Sequence, residues 1–498
     1  MKSSSDVLAL INQLEHRFPV ARWRAGDIDL WPVYRLRLYM NVTLSMLAAE
    51  TAPTGTLTRR ARQLRQLARG MWAPRAAAWR DRDMNASMSA PAGAVCLSDG
   101  VSFTPVDGRW YDRIMDPVVE SLGRRGIRML KLTPGSNIYL PRTHPSVLVQ
   151  PQIDRSLAMP GRSSPALDLP AFESFQEAAA AFGAHVPTRA WLNGQARRLN
   201  DLANAFARIM VRVGAGHAFV NTYYSLQGFA FVLAARRCGI PCADLQHGLQ
   251  GDHHGAYGSW INVPTEGYST LPTEFWVWSE EERRAIDAWR AGTSNHAPRI
   301  TGNFWRDRWF DDSDPMVARD VARARTMRVD GRPQALVSLA WGLASEETDK
   351  IIRAARLTGD RMAWWWRLHP VEAHLWRDFA ARLTSAGLDG GTVEFATTHP
   401  LYALVRGSDV TLSHSSTVMQ EAAVFGVRSV VTADYGTELH ANLLDSGMAL
   451  HATTDEAIAN AALRLAAQQK RTASRPNECG IDSAVDAWLG TQRQETAA

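Results

Sequence analysis

Residues 410–433 read VTLSHSSTVMQEAAVFGVRSVVTA, and this stretch decides the fold of the second half of the chain. A short apolar run, VTLS, is followed by a polar loop, an apolar segment with helical spacing, and a second short run, SVVTA. A strand, a helix and a strand in this order predict parallel pairing of the two strands. The stretch therefore predicts an α/β domain.

The same alternation continues on both sides of this stretch. The strand candidates of the second half are ALVSLA, MAWWWRL, TVEFA, VTLS and SVVTA, and the helix candidates between them are 345–358, 372–386, 400–406 and 416–426. The first half carries shorter candidates, AVCLSD, IRMLKL, AFVN, IPCADLQHG and FWVW, with helical segments between them. Each half is typical of a doubly wound, Rossmann-like domain.

The length of 498 residues is enough for two or three domains. We expect an N-terminal helical region over residues 1–90, a Rossmann-like domain over 91–310, a second one over 330–475 and a tail over 476–498. Two Rossmann-like domains facing a cleft, with extra N-terminal helices, are the expected architecture.

Composition excludes several classes of protein. The chain has no apolar run of about 18 residues, so no membrane-spanning helix is expected. Asp6, Glu15 and His16 interrupt any signal-peptide core, which favours a cytoplasmic protein. Four cysteines make no disulfide framework. A net charge of +5 does not indicate a nucleic-acid binder.

Residues 57–82 hold eight arginines against one aspartate, and the segment 57–72 has helical spacing. Two interpretations stay open for this basic segment. It forms either a solvated helix face or a surface that binds the anionic inner face of the cytoplasmic membrane, where a lipid-linked substrate would lie.

Ligands bind outside the carboxyl ends of strands in open α/β sheets, so the polar residues there are candidates. In the second half these are Arg367, His369, Pro370, His414, Ser415, Ser416, Thr417 and Glu421. Hydroxyl groups at the start of a helix are suited to binding phosphate. A histidine can donate a hydrogen bond to phosphate or protonate a leaving oxygen, and an inward carboxylate can accept hydrogen bonds from ribose hydroxyls. The alternatives are an ordinary helix cap, a loop histidine and a solvated glutamate.

In the first half, polar residues crowd the end of the IPCADLQHG strand and the loop beyond it. The candidates are Asp99, Asp244, Gln246, His247, Asp252, His253, His254 and Tyr257. A carboxylate or imidazole among them could act as base or nucleophile. The histidine spacing fits no zinc motif, and we expect no metal.

These residues resemble GT-B glycosyltransferases of bacterial capsule and lipopolysaccharide synthesis. The RLHP stretch at 367–370 is similar to the His-Pro motif of sialyltransferase-like and Kdo-transferase-like enzymes, and SHSSTVMQEAAVFG at 413–426 to their Ser-Ser motif and to the Glu-bearing helix of GT-B enzymes. LQHG at 245–248 is similar to a motif of capsular polysaccharide proteins, and TGN at 301–303 to a stretch near the domain junction.

The resemblance implies that 330–475 binds the nucleotide sugar and 91–310 the acceptor, a glycan or lipid-linked glycan. His369 and Pro370 would contact phosphate and base, Ser415 and Ser416 the phosphate, and Glu421 the ribose. Asp244, His247, Asp252 and His369 are the catalytic candidates, and Asp99, Gln246, His253, His254 and Tyr257 lie on the acceptor side.

The expected function is metal-independent sugar transfer, with CMP-Kdo or a related acidic sugar favoured as donor. The acidic-acidic-Gly motif of some sialyltransferases is not clearly present, and UDP-sugar enzymes share the Glu-bearing helix, so a UDP-sugar transferase stays open. A nucleotide-sugar epimerase of the same fold and a non-catalytic assembly protein are the remaining alternatives.

Overall fold

The structure is a computed structural model of the chain. It describes residues 4–48, 90–100, 102–134, 140–150, 152–154, 165–180, 185–248, 250–290, 292–329, 331–339, 346–473 and 480–495. The arginine-rich segment 57–82 lies outside these residues, so both interpretations of it stay predictions.

The strands of the described residues belong to two larger parallel sheets, a small antiparallel sheet and a hairpin. In chain order they are β1 Arg24–Ala25, β2 Ile28–Asp29, β3 Ala94–Leu97, β4 Phe103–Val106, β5 Arg109–Asp112, β6 Met129–Thr133, β7 Val147–Leu148, β8 Leu167–Asp168, β9 His217–Val220, β10 Cys242–Leu245, β11 Glu274–Val277, β12 Ala297–Ile300, β13 Gln334–Ser338, β14 Ala363–Arg367, β15 Val410–Ser413, β16 Arg428–Val431 and β17 Ala449–His451.

Helices connect most of these strands. They are α1 Ser4–Arg17, α2 Trp31–Ala48, α3 Asp116–Arg124, α4 Phe172–Ala180, α5 Arg189–Val213, α6 Leu226–Arg237, α7 Glu280–Arg290, α8 Phe304–Arg308, α9 Pro315–Thr326, α10 Glu346–Thr358, α11 Trp376–Ser385, α12 Val393–Thr398, α13 Leu401–Gly407, α14 Val418–Val424, α15 Gly436–Leu439, α16 Ala441–Asp445, α17 Asp455–Ala466 and α18 Ile481–Glu495. Short 3-10 helices lie at Val20–Arg22, Gly359–Arg361 and Pro370–Leu375.

The chain divides into two compact units. The first comprises Met1–Thr104, Gly108–Phe304 and Glu478–Ala498, and the second comprises Pro105–Asp107 and Trp305–Asn477. Each unit contains one of the two larger parallel sheets. These two sheets confirm the predicted α/β fold class, with two Rossmann-like domains and additional N-terminal helices.

The sheet of the first unit has seven strands in the order β12-β11-β10-β9-β3-β6-β7, all paired in parallel. Strands β3, β10 and β11 are buried at every position. Parallel strands covered by helices on both faces need apolar side chains on both faces, which explains runs such as AVCL and EFWV.

The sheet of the second unit has five parallel strands in the order β14-β13-β15-β16-β17. The prediction of a strand at TVEFA was wrong, because these residues lie in α12 or directly before it. Val393 and Ala396, three residues apart, are both fully buried, so helical spacing satisfies the core here. The fifth strand is instead β17, which the pattern analysis did not identify.

The N-terminal helices α1 and α2 pack into the core of the first unit. Trp23, Trp31 and Tyr34 are fully buried, and the rings of Trp23 and Phe175 lie 4.9 Å apart between centroids. The helices therefore belong to the hydrophobic core of this unit.

The C-terminal residues predicted to form a tail contain α18, which also packs on the first unit. Trp488 is buried against Phe219 and Trp276, with ring centroids 6.1 Å apart in both pairs. Arg125, directly after α3, donates to Asp482 and Asp486. A chain end that buries a tryptophan under the sheet is part of the fold.

Among the described residues, no helix has the length and apolarity needed to cross a membrane.

Candidate functional site

His369 lies two residues after the end of β14, at the carboxyl edge of the second sheet. Its Nδ1 accepts a hydrogen bond from the backbone N–H of Val371 over 3.3 Å, which caps the 3-10 helix that begins at Pro370. Burial lowers the pKa of His369, which favours the neutral ring. A neutral ring that accepts at Nδ1 carries its proton on Nε2. His369 therefore presents an N–H donor at Nε2. The neighbouring Pro370 is exposed.

The Ser413–Thr417 loop lies at the same edge, after β15. The hydroxyl of buried Ser413 donates to the carbonyl of Ser338 over 2.7 Å and accepts from the N–H of Ser416 over 3.3 Å. The hydroxyl of Ser416 accepts from the N–H of Val418 over 3.3 Å. Ser415 and Thr417 are half-buried, and the Ser415 hydroxyl has no hydrogen-bond partner within the described part of the chain.

The backbone around His414 is closely packed. A Cβ atom at Gly436 would lie 1.9 Å from the carbonyl oxygen of His414, so only glycine fits there. His414 is 3% exposed, and burial lowers its pKa. His440 is fully buried beside the backbone of Ser415, and burial lowers the pKa of His440 to about 4.

Glu421 and Arg367 are engaged by other groups of the protein. Glu421 points inward, is 9% exposed and accepts a hydrogen bond from the hydroxyl of Tyr402. Arg367 Nη1 donates to the carbonyls of Ala396 and His399, over 2.7 Å in both cases. Arg367 thus binds the backbone of Ala396 and His399 beside this sheet edge, and fewer of its N–H groups remain for a ligand.

In the first unit, Asp99 and His247 lie at the carboxyl edge of β3 and β10. Nε2 of half-buried His247 is 3.1 Å from the Tyr224 hydroxyl and 3.3 Å from the Thr222 hydroxyl. Burial lowers the pKa of His247, and the negative charge of Asp99 opposes this shift. The N–H of Asp99 donates to Asn221 Oδ1 over 2.8 Å. The imidazole of His247 and the hydroxyls of Thr222 and Tyr224 thus form one cluster at this edge, and the carboxylate of Asp99 stands at the same edge two strands away, at the end of β3.

Thr222 has a backbone φ of +63°, a conformation that β-branched residues rarely adopt. The turn is held by close packing, since a Cβ at Gly228 would lie 2.5 Å from the carbonyl oxygens of Thr222 and Tyr223. Strained backbone of this kind is concentrated at functional sites.

Asp244 lies below the surface of this edge. It is 1% exposed, its Oδ2 accepts from the Tyr257 hydroxyl over 2.8 Å, and its Oδ1 accepts from the N–H of Tyr223 over 3.2 Å. Burial raises the pKa of Asp244 to about 8, although both hydrogen bonds oppose the shift. Asp244 therefore joins two loops as a largely protonated, inaccessible carboxyl group.

The other first-half candidates fall into three places. His254 packs beside Tyr224 and Tyr257, with ring centroids 5.4 and 5.0 Å apart, and joins the cluster. Gln246 is buried and donates to Glu282. Asp252 and His253 are exposed. The carbonyl of Asp252 accepts from the Ser259 hydroxyl, and Nδ1 of His253 lies 2.9 Å from the Ser5 hydroxyl.

Sequence reasoning missed Asn221, Thr222, Tyr224 and His440. Asn221 is the last residue of the predicted strand AFVN, and Thr222 and Tyr224 follow it, so a search for polar residues at the carboxyl end of that strand would have found all three. No group of three or more His, Cys, Asp or Glu side chains suited to a metal occurs within the ranges that the structure describes.

No model of a known protein family matches the chain, and no curated protein matches its sequence. Solved structures similar to it include a UDP-GlcNAc 2-epimerase from Methanocaldococcus jannaschii, at 13% identity and a TM-score of 0.48, covering 80% of this chain and 99% of that one. The enzyme of the same name from Neisseria meningitidis has 13% identity, a TM-score of 0.46 and coverages of 80% and 99%. The glycotransferase of kitacinnamycin has 14% identity, a TM-score of 0.43 and coverages of 80% and 98%. At this level of similarity the substrates of these proteins do not transfer to this chain.

Proposed function

We propose that the protein is an enzyme that acts on a nucleotide-activated sugar, and that its second unit binds the nucleotide phosphates. The observation that carries this proposal is the Nε2–H donor of neutral His369, which the bond from Val371 to Nδ1 implies. Ser415 supplies a further hydroxyl at the same edge. Since β13 lies between β14 and β15, the strands that precede His369 and Ser415 are about 10 Å apart, two strand spacings.

Neutral donors of this kind offset phosphate charge as it develops on the leaving group, so we propose a metal-independent reaction. The inward carboxylate of Glu421, oriented by Tyr402, would accept hydrogen bonds from ribose hydroxyls. His414 is too deeply buried to reach a ligand freely and would instead shape the loop.

In the first unit, we propose His247 and Asp99 as the groups that take a proton from the sugar acceptor. They are half-buried and interact electrostatically, whereas Asp244 is enclosed and Asp252 lies outside the cluster. Because a carboxylate and an imidazole at the same sheet edge can each hold a proton, this edge also suits an epimerisation, which removes a proton and returns it. Transfer to a glycan or lipid-linked acceptor and epimerisation of the donor are therefore the two candidate reactions.

The first test is thermal stabilisation by CMP, UDP, GDP and ADP of the wild type and of two His369 variants. A ligand at 100 times its Kd stabilises by about 2.7 kcal/mol. Asn at position 369 can still cap Val371 but lacks the distal N–H, so His369→Asn should keep the stability and lose the nucleotide shift. His369→Ala should lose both.

A shift with CMP would favour an acidic-sugar donor such as CMP-Kdo, and a shift with UDP would favour UDP-hexoses. Incubation with the matching nucleotide sugar then separates the reactions, since an epimerase gives an isomerised nucleotide sugar without an acceptor and a transferase gives a glycoside only with one. No shift with any nucleotide would contradict the proposal and leave a non-catalytic protein of this fold.

A further inference from the structure

Helix α2 carries a fully buried arginine, Arg35, that is bonded to the loop beside the His247 cluster. Its Nη1 donates to the carbonyl of Gly255, and its Nη2 donates to the carbonyls of Gly258 and Ser259 over 3.1 and 2.9 Å. The guanidinium carbon also lies 4.3 Å from the ring centroid of Trp260. One side chain thus joins three backbone carbonyls of the loop 250–262 to the N-terminal helices.

Helix α1 completes this arrangement through Glu15, which is 1% exposed. Its Oε1 lies 3.6 Å from Nε of Arg35, and its Oε2 accepts from the N–H of Ile261 over 3.2 Å. The indole N–H of Trp31 donates to the same carboxyl group. The buried charge of Arg35 is therefore paired, and its partner also binds the loop.

The backbone of the loop lies directly against α2. A Cβ atom at Gly255 would be 2.6 Å from Cγ of Tyr39, so glycine is needed for this approach. The Tyr39 hydroxyl reaches the carbonyl of His253 over 3.4 Å, and the Ser5 hydroxyl lies 2.9 Å from Nδ1 of His253.

The opposite side of the same loop faces the cluster at the sheet edge. Tyr257 donates to Asp244, and His254 packs against Tyr224, whose hydroxyl lies 3.1 Å from Nε2 of His247. A shift of the loop would move Tyr257 and His254 and, through Tyr224, change the partner of the His247 ring.

We propose that Arg35 is a positioning residue, which holds the loop 250–262 so that Tyr224 keeps His247 oriented for proton transfer. The catalytic consequence rests on the function proposed above for His247. The structural part, that Arg35 orders the loop, stands on the hydrogen bonds alone. A guanidinium presents its donors in a rigid fork, so one Arg can hold several carbonyls where a lysine holds fewer.

Hydrogen exchange of the full chain tests the structural part. In Arg35→Met, peptides covering 250–262 should exchange about tenfold faster or more, while β9 and β10 stay protected. Arg37→Met is the matched control, because it makes the same change at an exposed position of the same helix. Leu38→Ala, which truncates a buried side chain of α2, controls for a general loss of packing.

If Arg35→Met fails to fold because it leaves Glu15 unpaired, Glu15→Gln/Arg35→Met removes both charges and takes its place. Unchanged exchange in the loop, or equal acceleration in the loop and in β9 and β10, would overturn the proposal. The proposal would also be overturned if Leu38→Ala accelerated exchange in the loop 250–262 as much as Arg35→Met does, with β9 and β10 still protected.

Turnover of the nucleotide sugar identified above tests the catalytic part. Arg35→Met should lower kcat about tenfold or more with KM for the nucleotide sugar nearly unchanged, because the nucleotide is bound by other residues. Arg35→Lys should restore part of kcat. An effect on KM alone, or an unchanged kcat, would contradict the positioning role. Absence of turnover in the wild type would refute the proposed function, but it would not affect the conclusion from hydrogen exchange that Arg35 orders the loop.

Discussion

The hydroxyl of Tyr257 donates to Oδ2 of Asp244 over 2.8 Å, and both residues are fully enclosed in the first unit. This bond ties the loop 250–262 to the carboxyl end of β10. It also explains why Asp244, placed at a strand end where substrates bind, is a supporting group rather than an accessible base.

Replacing Asp244 by Asn should flatten the pH dependence of stability. Burial raises the pKa of Asp244 to about 8, so the folded protein retains a proton that the unfolded chain releases near pH ~4. The stability that this proton contributes is complete below the pKa of Asp244 in the unfolded chain and is lost as pH rises toward its pKa in the folded protein. Asp244→Asn should therefore gain stability relative to the wild type as pH rises from about 5 to 8.5, measured by urea unfolding.

Asn at position 244 can accept from the Tyr223 N–H and donate to Tyr257, so little should be lost at pH ~5. Asp244→Ala strands both partners and should be about 1–3 kcal/mol less stable than Asp244→Asn at each pH. Parallel pH profiles of the wild type and Asp244→Asn would show that Asp244 is ionised in the folded protein.

Thr222→Gly should stabilise the protein by about 1 kcal/mol, because glycine adopts a φ of +63° without strain. The same change removes the hydroxyl that lies 3.3 Å from His247, so we expect turnover to fall as stability rises. Urea unfolding and kcat are the two measurements. Thr222→Asn, which tolerates this backbone conformation, is the control, and a destabilised Thr222→Gly would disprove the interpretation of strain.

Gly436→Ala should destabilise the second unit by about 1–3 kcal/mol, since the new methyl group would overlap the carbonyl of His414. Displacement of the Ser413–Thr417 loop should also weaken the nucleotide-induced thermal shift. Gly123→Ala is the matched control, because nothing lies within 4 Å of a Cβ there and alanine favours its helix. Wild-type stability and ligand response in Gly436→Ala would contradict the observed packing.

Trp488→Ala should lower the free energy of unfolding by about 3–5 kcal/mol, because it opens a cavity under the first sheet beside Phe219 and Trp276. Trp488→Phe keeps most of the contact and should lose less. Chemical unfolding followed by circular dichroism gives both values. A Trp488→Ala variant as stable as the wild type would mean that α18 does not contribute to the core.

Part of the candidate site followed from local pattern. The sequence predicts His369 and Ser415 because a polar residue after an apolar strand stands at the edge where parallel strands end, and it predicts Glu421 from its place on the helix that begins there. The distinction between Asp244 and Asp99 did not follow, since both are aspartates at strand ends. Asp244 is enclosed because the Tyr257 hydroxyl, 13 residues further along the chain, folds over it.

The sequence by itself determined the α/β class, most strands and the edge at which polar residues collect, because strands buried on two faces must be continuously apolar and the residues that follow them need not be. Only the tertiary structure decided that 393–398 form a helix, that the C-terminal residues return to the first unit, and that Arg35 reaches the carbonyl of Gly255, 220 residues away. Such contacts depend on which surfaces remain to be covered once the sheets have formed, and no local pattern of residues records that.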